Sequence, residues 1–131
     1  MEEEVKEELS TCEAPIMKII WETNPDISIP ELTQRLSTQY GKEYARTTIV
    51  TFLSRLAAKG YVKTYRKGRL SYAHAEKSEQ EYKQMLAKKQ TEFWFHGSLF
   101  EFVQSLSAVS ELTEDEIQKV RRQLEQMDTS E

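Results

Sequence analysis

The chain of 131 residues has one cysteine, four glycines and three prolines. A single cysteine excludes a disulfide scaffold and a thiolate metal cage. So little glycine and proline excludes collagen-like and low-complexity sequences. No apolar run approaches the roughly 18–20 residues of a membrane span, and the acidic residues 1–4 lack the apolar stretch of a signal peptide. We therefore expect a cytoplasmic protein with no membrane partner.

Charge is plentiful, and it is distributed unevenly although the net charge is only −4. Residues 1–32 carry a net −7, residues 33–75 carry +8 and residues 76–131 carry −5. Because electrostatic interactions are screened over about 8–10 Å in ordinary salt, the local charge of the middle block matters more for phosphate binding than the overall balance. The block indicates a nucleic-acid contact; chance clustering on a solvated face is the alternative.

A first helix is predicted at about residues 11–22. Ser10 and Glu13 have the spacing of a capping box, although Pro15 favours a start a few residues later. Cys12 falls on the apolar side of this helix, and we expect it to be an inert buried thiol. The other apolar residues at helical spacing are Ile16, Ile19, Ile20 and Trp21.

A second helix follows a turn and a minimal strand. The sequence Asn24-Pro25-Asp26 is predicted to end the first helix, and Ile27 to form the strand. Ser28 and Glu31 predict the next capping box, and Tyr40-Gly41 the end of this helix.

A third helix is predicted at residues 46–59, ending at Gly60. Its apolar face carries Ile49, Phe52, Leu53 and Leu56. The opposite face carries Thr47, Thr51, Ser54 and Ala58, flanked by Val50 and Arg55. An ordinary solvated helix favours Lys, Glu or Gln on such a face, whereas short hydroxylated side chains permit close approach to a DNA groove about 12 Å wide.

Residues 61–65 and 70–74 predict a β-hairpin around a turn that contains Gly68. Three helices followed by a hairpin is the order of a winged helix-turn-helix, a mainly α fold with a small β-hairpin wing. We expect the third helix and the basic wing to bind double-stranded DNA. The candidate DNA-binding residues are Arg46, Thr47, Thr48, Val50, Thr51, Ser54, Arg55, Arg66, Lys67 and Arg69.

The C-terminal part is helical and unusually apolar. Helices are predicted at residues 78–96, at residues 99–106 and after a third capping box formed by Thr113 and Glu116. Their apolar residues predict a homodimer interface; folding back onto the winged helix of the same chain is the alternative. The candidate interface residues are Tyr82, Leu86, Phe93, Leu99, Phe102, Val103, Leu106, Ile117, Val120 and Leu124.

Two domains are therefore predicted, a winged helix at residues 1–75 and a helical dimerisation domain at residues 76–131. No arrangement typical of an enzyme is present, and we predict neither a cofactor nor a metal, since His74 and His96 have no ligand partners nearby in the sequence. The leading hypothesis is a dimeric transcriptional repressor. A winged helix used for protein–protein assembly, without sequence-specific DNA binding, is the alternative.

The sequence resembles the penicillinase-repressor family, often called BlaI/MecI/CopY. The matching segments are Leu9-Ser10, residues 17–21, residues 47–56, residues 59–62, Ser71-Tyr72, Gly97-Ser98 and residues 111–117. The resemblance covers nearly the whole chain. Ala14, Pro15 and Val50 depart from residues common in the family.

The resemblance implies a homodimeric repressor of a pseudo-palindromic operator, with a winged helix and a helical dimerisation domain. In the β-lactam branch a sensor-protease system leads to cleavage of the repressor, and by position the cleaved bond matches Ser105-Leu106, where the residues differ. In the copper branch a C-terminal Cys-x-Cys pair binds the metal. Residues 127–131 contain no cysteine, so we do not expect copper sensing through thiolates. The resemblance leaves the inducing signal open.

Overall fold

The computed structural model describes residues 8–23, 25–127 and 129. The acidic residues 1–4 and Asn24 of the predicted turn lie outside this part. The elements, in chain order, are α1 (Glu13–Glu22), β1 (Ile27–Ser28), α2 (Ile29–Tyr40), α3 (Arg46–Ala58), β2 (Val62–Lys67), β3 (Leu70–Ala75), α4 (Glu79–Phe95), α5 (Leu99–Ser107) and α6 (Glu114–Gln126).

The capping box before α1 is confirmed. The Ser10 amide donates to Oε1 of Glu13 at 2.9 Å, and the Glu13 amide donates to Oγ of Ser10 at 3.2 Å. Since α1 begins at Glu13, Pro15 lies in the first turn, where its missing N–H costs no intrahelical bond. The expectation of a buried thiol is wrong: Cys12 belongs to the turn ahead of the helix and is exposed.

Helices α2 and α3 also follow the predicted signals. Oγ of Ser28 accepts from the Glu31 amide at 3.3 Å, and Gly41 ends α2. Along α3, Ile49, Leu53 and Leu56 are buried. Phe52 is half-buried, and its ring packs edge-on against Tyr44 at 5.4 Å.

The sheet is antiparallel, with strand order β1-β3-β2. Ile27 pairs with Ala73, and Tyr65 pairs with Tyr72. Between β2 and β3, Gly68 has a φ of +65°, a value that suits glycine at the first central position of a two-residue hairpin turn. We call the hairpin formed by β2 and β3 the wing, and residues 66–69 its tip.

The chain divides into two compact units, and the first, the N-terminal unit, ends at Leu86. It holds the hydrophobic core, to which α1, α2, α3 and the sheet all contribute, and this arrangement is a winged helix. The buried core residues are Ile16, Met17, Ile19, Ile20, Ile27, Ile29, Leu32, Leu36, Ile49, Leu53, Leu56, Tyr61, Val62 and Ala73. Beside this core Trp21 is half-buried, and its Nε1 donates to the Lys77 carbonyl at 2.8 Å.

The division falls later than the predicted boundary after residue 75, because the start of α4 packs on the winged helix. The Tyr82 ring centroid lies 5.8 Å from those of both Trp21 and Tyr61. The Tyr82 hydroxyl accepts a hydrogen bond from the Leu9 amide at 3.2 Å. Tyr82, predicted at the dimer interface, therefore packs against the core of its own chain.

The second, C-terminal unit begins at Ala87. Helices α5 and α6 are capped as α2 is, with Ser98 accepting from the Glu101 amide and Thr113 from the Glu116 amide, both at 3.1 Å. The Trp94 side chain is 65% exposed, and its Nε1 donates to Oε1 of Gln90 at 2.7 Å. Among the described residues, none in α4, α5 or α6 is buried.

Candidate nucleic-acid interface

The outer face of α3 carries short side chains between two arginines. Because Ile49, Leu53 and Leu56 turn toward the core, the helical period directs the other face to solvent. Arg46, Thr47, Val50, Thr51, Ser54 and Arg55 are all exposed, whereas Thr48 is half-buried. The structure thus presents the predicted face of α3, with Thr48 contributing least.

The hydroxyl group of Thr51 is already engaged within the helix. Its Oγ1 donates to the Thr47 carbonyl at 3.0 Å, a bond that threonine often makes inside helices. With its proton committed, the side chain offers outward a methyl group and the remaining lone pairs of the oxygen. The contacts open to Thr51 are therefore with a thymine methyl group or with a hydrogen-bond donor on DNA.

The wing supplies the second group of cations. Arg66, Lys67 and Arg69 are exposed at the tip, as predicted for phosphate contacts. Nε of Arg66 donates to the Gly68 carbonyl at 3.3 Å, which fixes the base of this guanidinium over the turn. The turn therefore restrains the guanidinium group of Arg66.

A groove joins α3 to the wing. It encloses about 290 Å³ and brings Arg46 of the helix and Arg66 of the hairpin to the same depression. The residues that line it are Ile29, Arg46, Val50, Leu53, Ser54, Thr64, Tyr65, Arg66 and Ser71. The groove thereby places apolar side chains such as Val50 next to the cationic side chains of Arg46 and Arg66.

The basic block divides into structural and unpaired cations. Nζ of Lys59 lies 2.6 Å from Oε1 of Glu13, and Arg35 pairs with Glu22 and Glu31 at 3.4 and 3.9 Å. None of the five cations of α3 and the wing tip forms an ion pair with any described residue; they are Arg46, Arg55, Arg66, Lys67 and Arg69. Charge counting along the sequence does not distinguish the two groups.

Glu13 is the carboxylate that Lys59 neutralises. Burial alone would raise its pKa, but the hydrogen bonds from Lys59 and Ser10 outweigh burial and hold the pKa below its ordinary value. Glu13 is 2% exposed, so this pair ties the end of α3 to the start of α1 at the edge of the core. Lys59 therefore helps to hold the end of α3 against the start of α1.

Asp26 contacts the wing from the connection between α1 and β1. Its Oδ2 accepts from the Tyr65 hydroxyl at 2.5 Å, and its Oδ1 lies 2.7 Å from Nδ1 of His74. Both hydrogen bonds lower the pKa of Asp26, and the bond from Tyr65 has the larger effect. The bond between Tyr65 and Asp26 also raises the pKa of Tyr65. No local sequence pattern predicts this cluster, because its members are far apart in the chain.

The two histidines have no metal-binding arrangement in the part of the chain that the structure describes. His74 is engaged with Asp26, and the exposed His96 lies 3.9 Å from Oε2 of Glu101. No group of three or more His, Cys, Asp or Glu side chains among residues 8–23, 25–127 and 129 is placed to hold a metal ion. Over the same residues, no helix combines the length and apolar character of a membrane span.

Most of the candidate dimer residues on α4, α5 and α6 are exposed apolar side chains. Ile117 is half-buried, and Leu86, at the end of the N-terminal unit, lies beside a small cavity lined also by Leu9, Trp21 and Tyr82. Ser105 and Leu106 lie inside α5. The exposed members of the set are Phe93, Leu99, Phe102, Val103, Leu106, Val120 and Leu124.

Comparison with known proteins identifies the family of the chain. The sequence profile of the penicillinase repressor family matches residues 9–126. The solution structure of the DNA-binding domain of the repressor BlaI is 29% identical in sequence, covering 57% of this chain and 88% of that one, with a TM-score of 0.49. No curated protein matches the chain. Since the profile spans nearly all described residues, the chain belongs to the penicillinase repressor family, a family of DNA-binding transcriptional repressors.

Proposed function

We propose that the protein is a homodimeric repressor that acts in the cytoplasm and binds a pseudo-palindromic operator through α3 and the wing, without catalytic activity. One observation carries the proposal: five cations of α3 and the wing tip are exposed and unpaired among the described residues, around a face of short side chains. Unpaired cations at a convex helix face neutralise phosphates, and each contact releases counterions.

The residues divide by the part of DNA they reach. Arg46, at the start of α3, is placed for a guanine edge or a phosphate, and Val50 for a thymine methyl group. Thr47, Thr51 and Ser54 face the major groove, whereas Thr48 and Arg55 lie on the flank and suit the backbone. Arg66, Lys67 and Arg69 reach flanking phosphates or the minor groove.

Dimerisation is assigned to the C-terminal unit. Leu99, Phe102, Val103 and Leu106 recur at helical spacing along α5, and each is at least 40% exposed. An amphipathic helix of this kind requires an apolar partner surface, and a second copy supplies an identical one. A twofold dimer would place two α3 helices about one DNA turn, roughly 34–36 Å, apart.

DNA binding is tested by fluorescence anisotropy with a duplex from the promoter of the protein's own operon and a scrambled duplex of equal length. We expect tight binding to the promoter and a log–log salt slope of about −0.9 per phosphate neutralised. Binding without salt dependence, or equal binding to both duplexes, would contradict sequence-specific repression and favour the assembly module.

Dimerisation is tested by sedimentation velocity at micromolar concentration. We expect the wild-type chain to sediment as a dimer and Leu106→Glu to sediment as a monomer. The introduced carboxylate would lose its hydration in the dimer without gaining a counter-charge, and this loss destabilises the dimer. Val109→Glu is the matched control, since Val109 is 83% exposed and lies beyond the end of α5. A wild-type mass of one chain would refute the proposed dimer.

A further inference from the structure

The side chain of Asp26 connects the segment between α1 and β1 to the wing. Asp26 bonds both strands, through Tyr65 on β2 and His74 on β3. The Asp26 side chain is only 17% exposed, although it lies in a surface connection. A carboxylate held in this way fixes the position of both strands relative to the end of α1.

Sheet topology makes the bond to Tyr65 the important one. In the order β1-β3-β2, β2 is not adjacent to β1 and is linked to it only through β3. Strand β1 has two residues, so its pairing with β3 is short. Asp26 reaches past β3 to β2 directly. Tyr65 is held for this bond by stacking on Tyr72, with ring centroids 5.6 Å apart and an interplanar angle of 15°.

Tyr65 is followed directly by Arg66, and both line the groove beside α3 together with Arg46. We propose that Asp26 is a positioning residue for DNA binding: it holds β2, and with it Arg66 and the wing tip, at the groove, without contacting DNA itself. The proposal rests on the DNA-binding function proposed above. Its physical basis is preorganisation, since a wing already fixed loses less conformational entropy on binding.

Simple electrostatics predicts the opposite effect of removing this carboxylate. A negative charge near a phosphate-binding surface repels DNA, so its loss should strengthen binding. Positioning predicts that its loss weakens binding. The direction of the change therefore separates the two roles.

The experiment measures affinity for the promoter duplex in Asp26→Ala, Tyr65→Phe and Glu43→Gln. Glu43 is the matched electrostatic control, because it is exposed, precedes α3 and is the one acidic residue of the basic block. We expect Asp26→Ala and Tyr65→Phe to weaken binding by roughly five- to tenfold, as the loss of a charge-assisted hydrogen bond would. Glu43→Gln should bind as the wild type does, or more tightly.

Double variants locate the effect at the wing. Combined with Arg66→Ala, Asp26→Ala should add clearly less loss than it causes in the wild type, because one of the contacts that it positions is already gone. Combined with Arg55→Ala on α3, the two losses should multiply. A role in stability alone would make Asp26→Ala combine in the same way with both arginine variants, and that result would overturn the proposal.

The remaining outcomes are equally decisive. If the wild type binds the promoter duplex and Asp26→Ala and Tyr65→Phe bind equally well or more tightly, Asp26 does not position the wing. If Asp26→Ala loses its folded far-ultraviolet spectrum, Tyr65→Phe decides, since it removes one hydroxyl group and keeps the aromatic stack. If the wild type binds no duplex, the proposed DNA-binding function itself fails, and the positioning role fails with it.

Discussion

Nζ of Lys59 lies 2.6 Å from Oε1 of Glu13, and this ion pair joins the end of α3 to the capping box of α1. Glu13 is 2% exposed, so its charge depends on Lys59 and Ser10 for compensation. The orientation of α3, the helix proposed to bind DNA, is therefore linked to the start of the chain's first helix.

Replacing Lys59 by methionine should lower the free energy of unfolding by about 3 kcal/mol, because it leaves a buried carboxylate without its counter-charge. Urea unfolding followed by circular dichroism measures the change. Lys119→Met is the control, since Lys119 pairs with Asp115 at 3.2 Å on the exposed surface of α6 and should cost less than about 1 kcal/mol. Equal losses in both variants would contradict a structural role for the buried pair.

The same pair predicts how stability depends on pH. The folded-state pKa of Glu13 lies below its ordinary value of 4.5, so its contribution is complete above that value and is lost as the pH falls through the folded-state pKa. Glu13→Gln should remove this contribution and flatten the decline in unfolding free energy as the pH falls below 4.5. Parallel curves for the variant and the wild type would show that Glu13 is not linked to stability in this window.

The turn of the wing predicts a backbone effect. Gly68 has a φ of +65° with open space around its Cα, so an added methyl group meets no neighbour but strains the backbone. Gly68→Ala should lower the free energy of unfolding by about 1 kcal/mol or more. Lys67→Ala is the control, because Lys67 is adjacent and has no positive φ. It should lower the free energy of unfolding by less, and thermal unfolding of both variants measures the difference.

Two residues of α3 should affect DNA binding in different ways. Arg55→Ala should weaken binding to all duplexes and reduce the magnitude of the salt slope by about 0.9, as expected for one phosphate contact. Thr51→Ala should change the preference among operator variants, because it removes the methyl group and the hydroxyl oxygen from the groove-facing surface. Anisotropy titrations against a set of single-base operator variants measure both. A uniform loss for Thr51→Ala would place that residue at the backbone.

Local signals predicted the local structure well. The capping box at Ser10 forms with both of its hydrogen bonds, and Ser28 and Thr113 each accept the predicted bond from the amide three residues on, because these signals depend on two residues three positions apart. The face of α3 follows in the same way from helical periodicity. Cys12 is the exception, because it precedes the first helical residue and the period does not extend to it.

Contacts between distant residues could not be predicted from the sequence. Nothing in the pattern around Tyr82 separates an apolar residue that faces Trp21 of its own chain from one that faces a second copy. Asp26 likewise reads as part of a helix-ending turn, and only the fold brings it to Tyr65. Such pairings depend on the relative placement of whole elements, which local periodicity does not encode.

The chain has two tryptophans, and they lie in different units and different environments. Trp21 is half-buried and hydrogen-bonded beside the winged-helix core, whereas Trp94 is 65% exposed on α4. Intrinsic fluorescence can therefore follow the two halves of the molecule without an attached dye. In a Trp21→Phe chain, the emission maximum of Trp94 would shift if another surface covered the C-terminal helices. Quenching by iodide would measure how much of the Trp94 indole ring is still accessible to solvent.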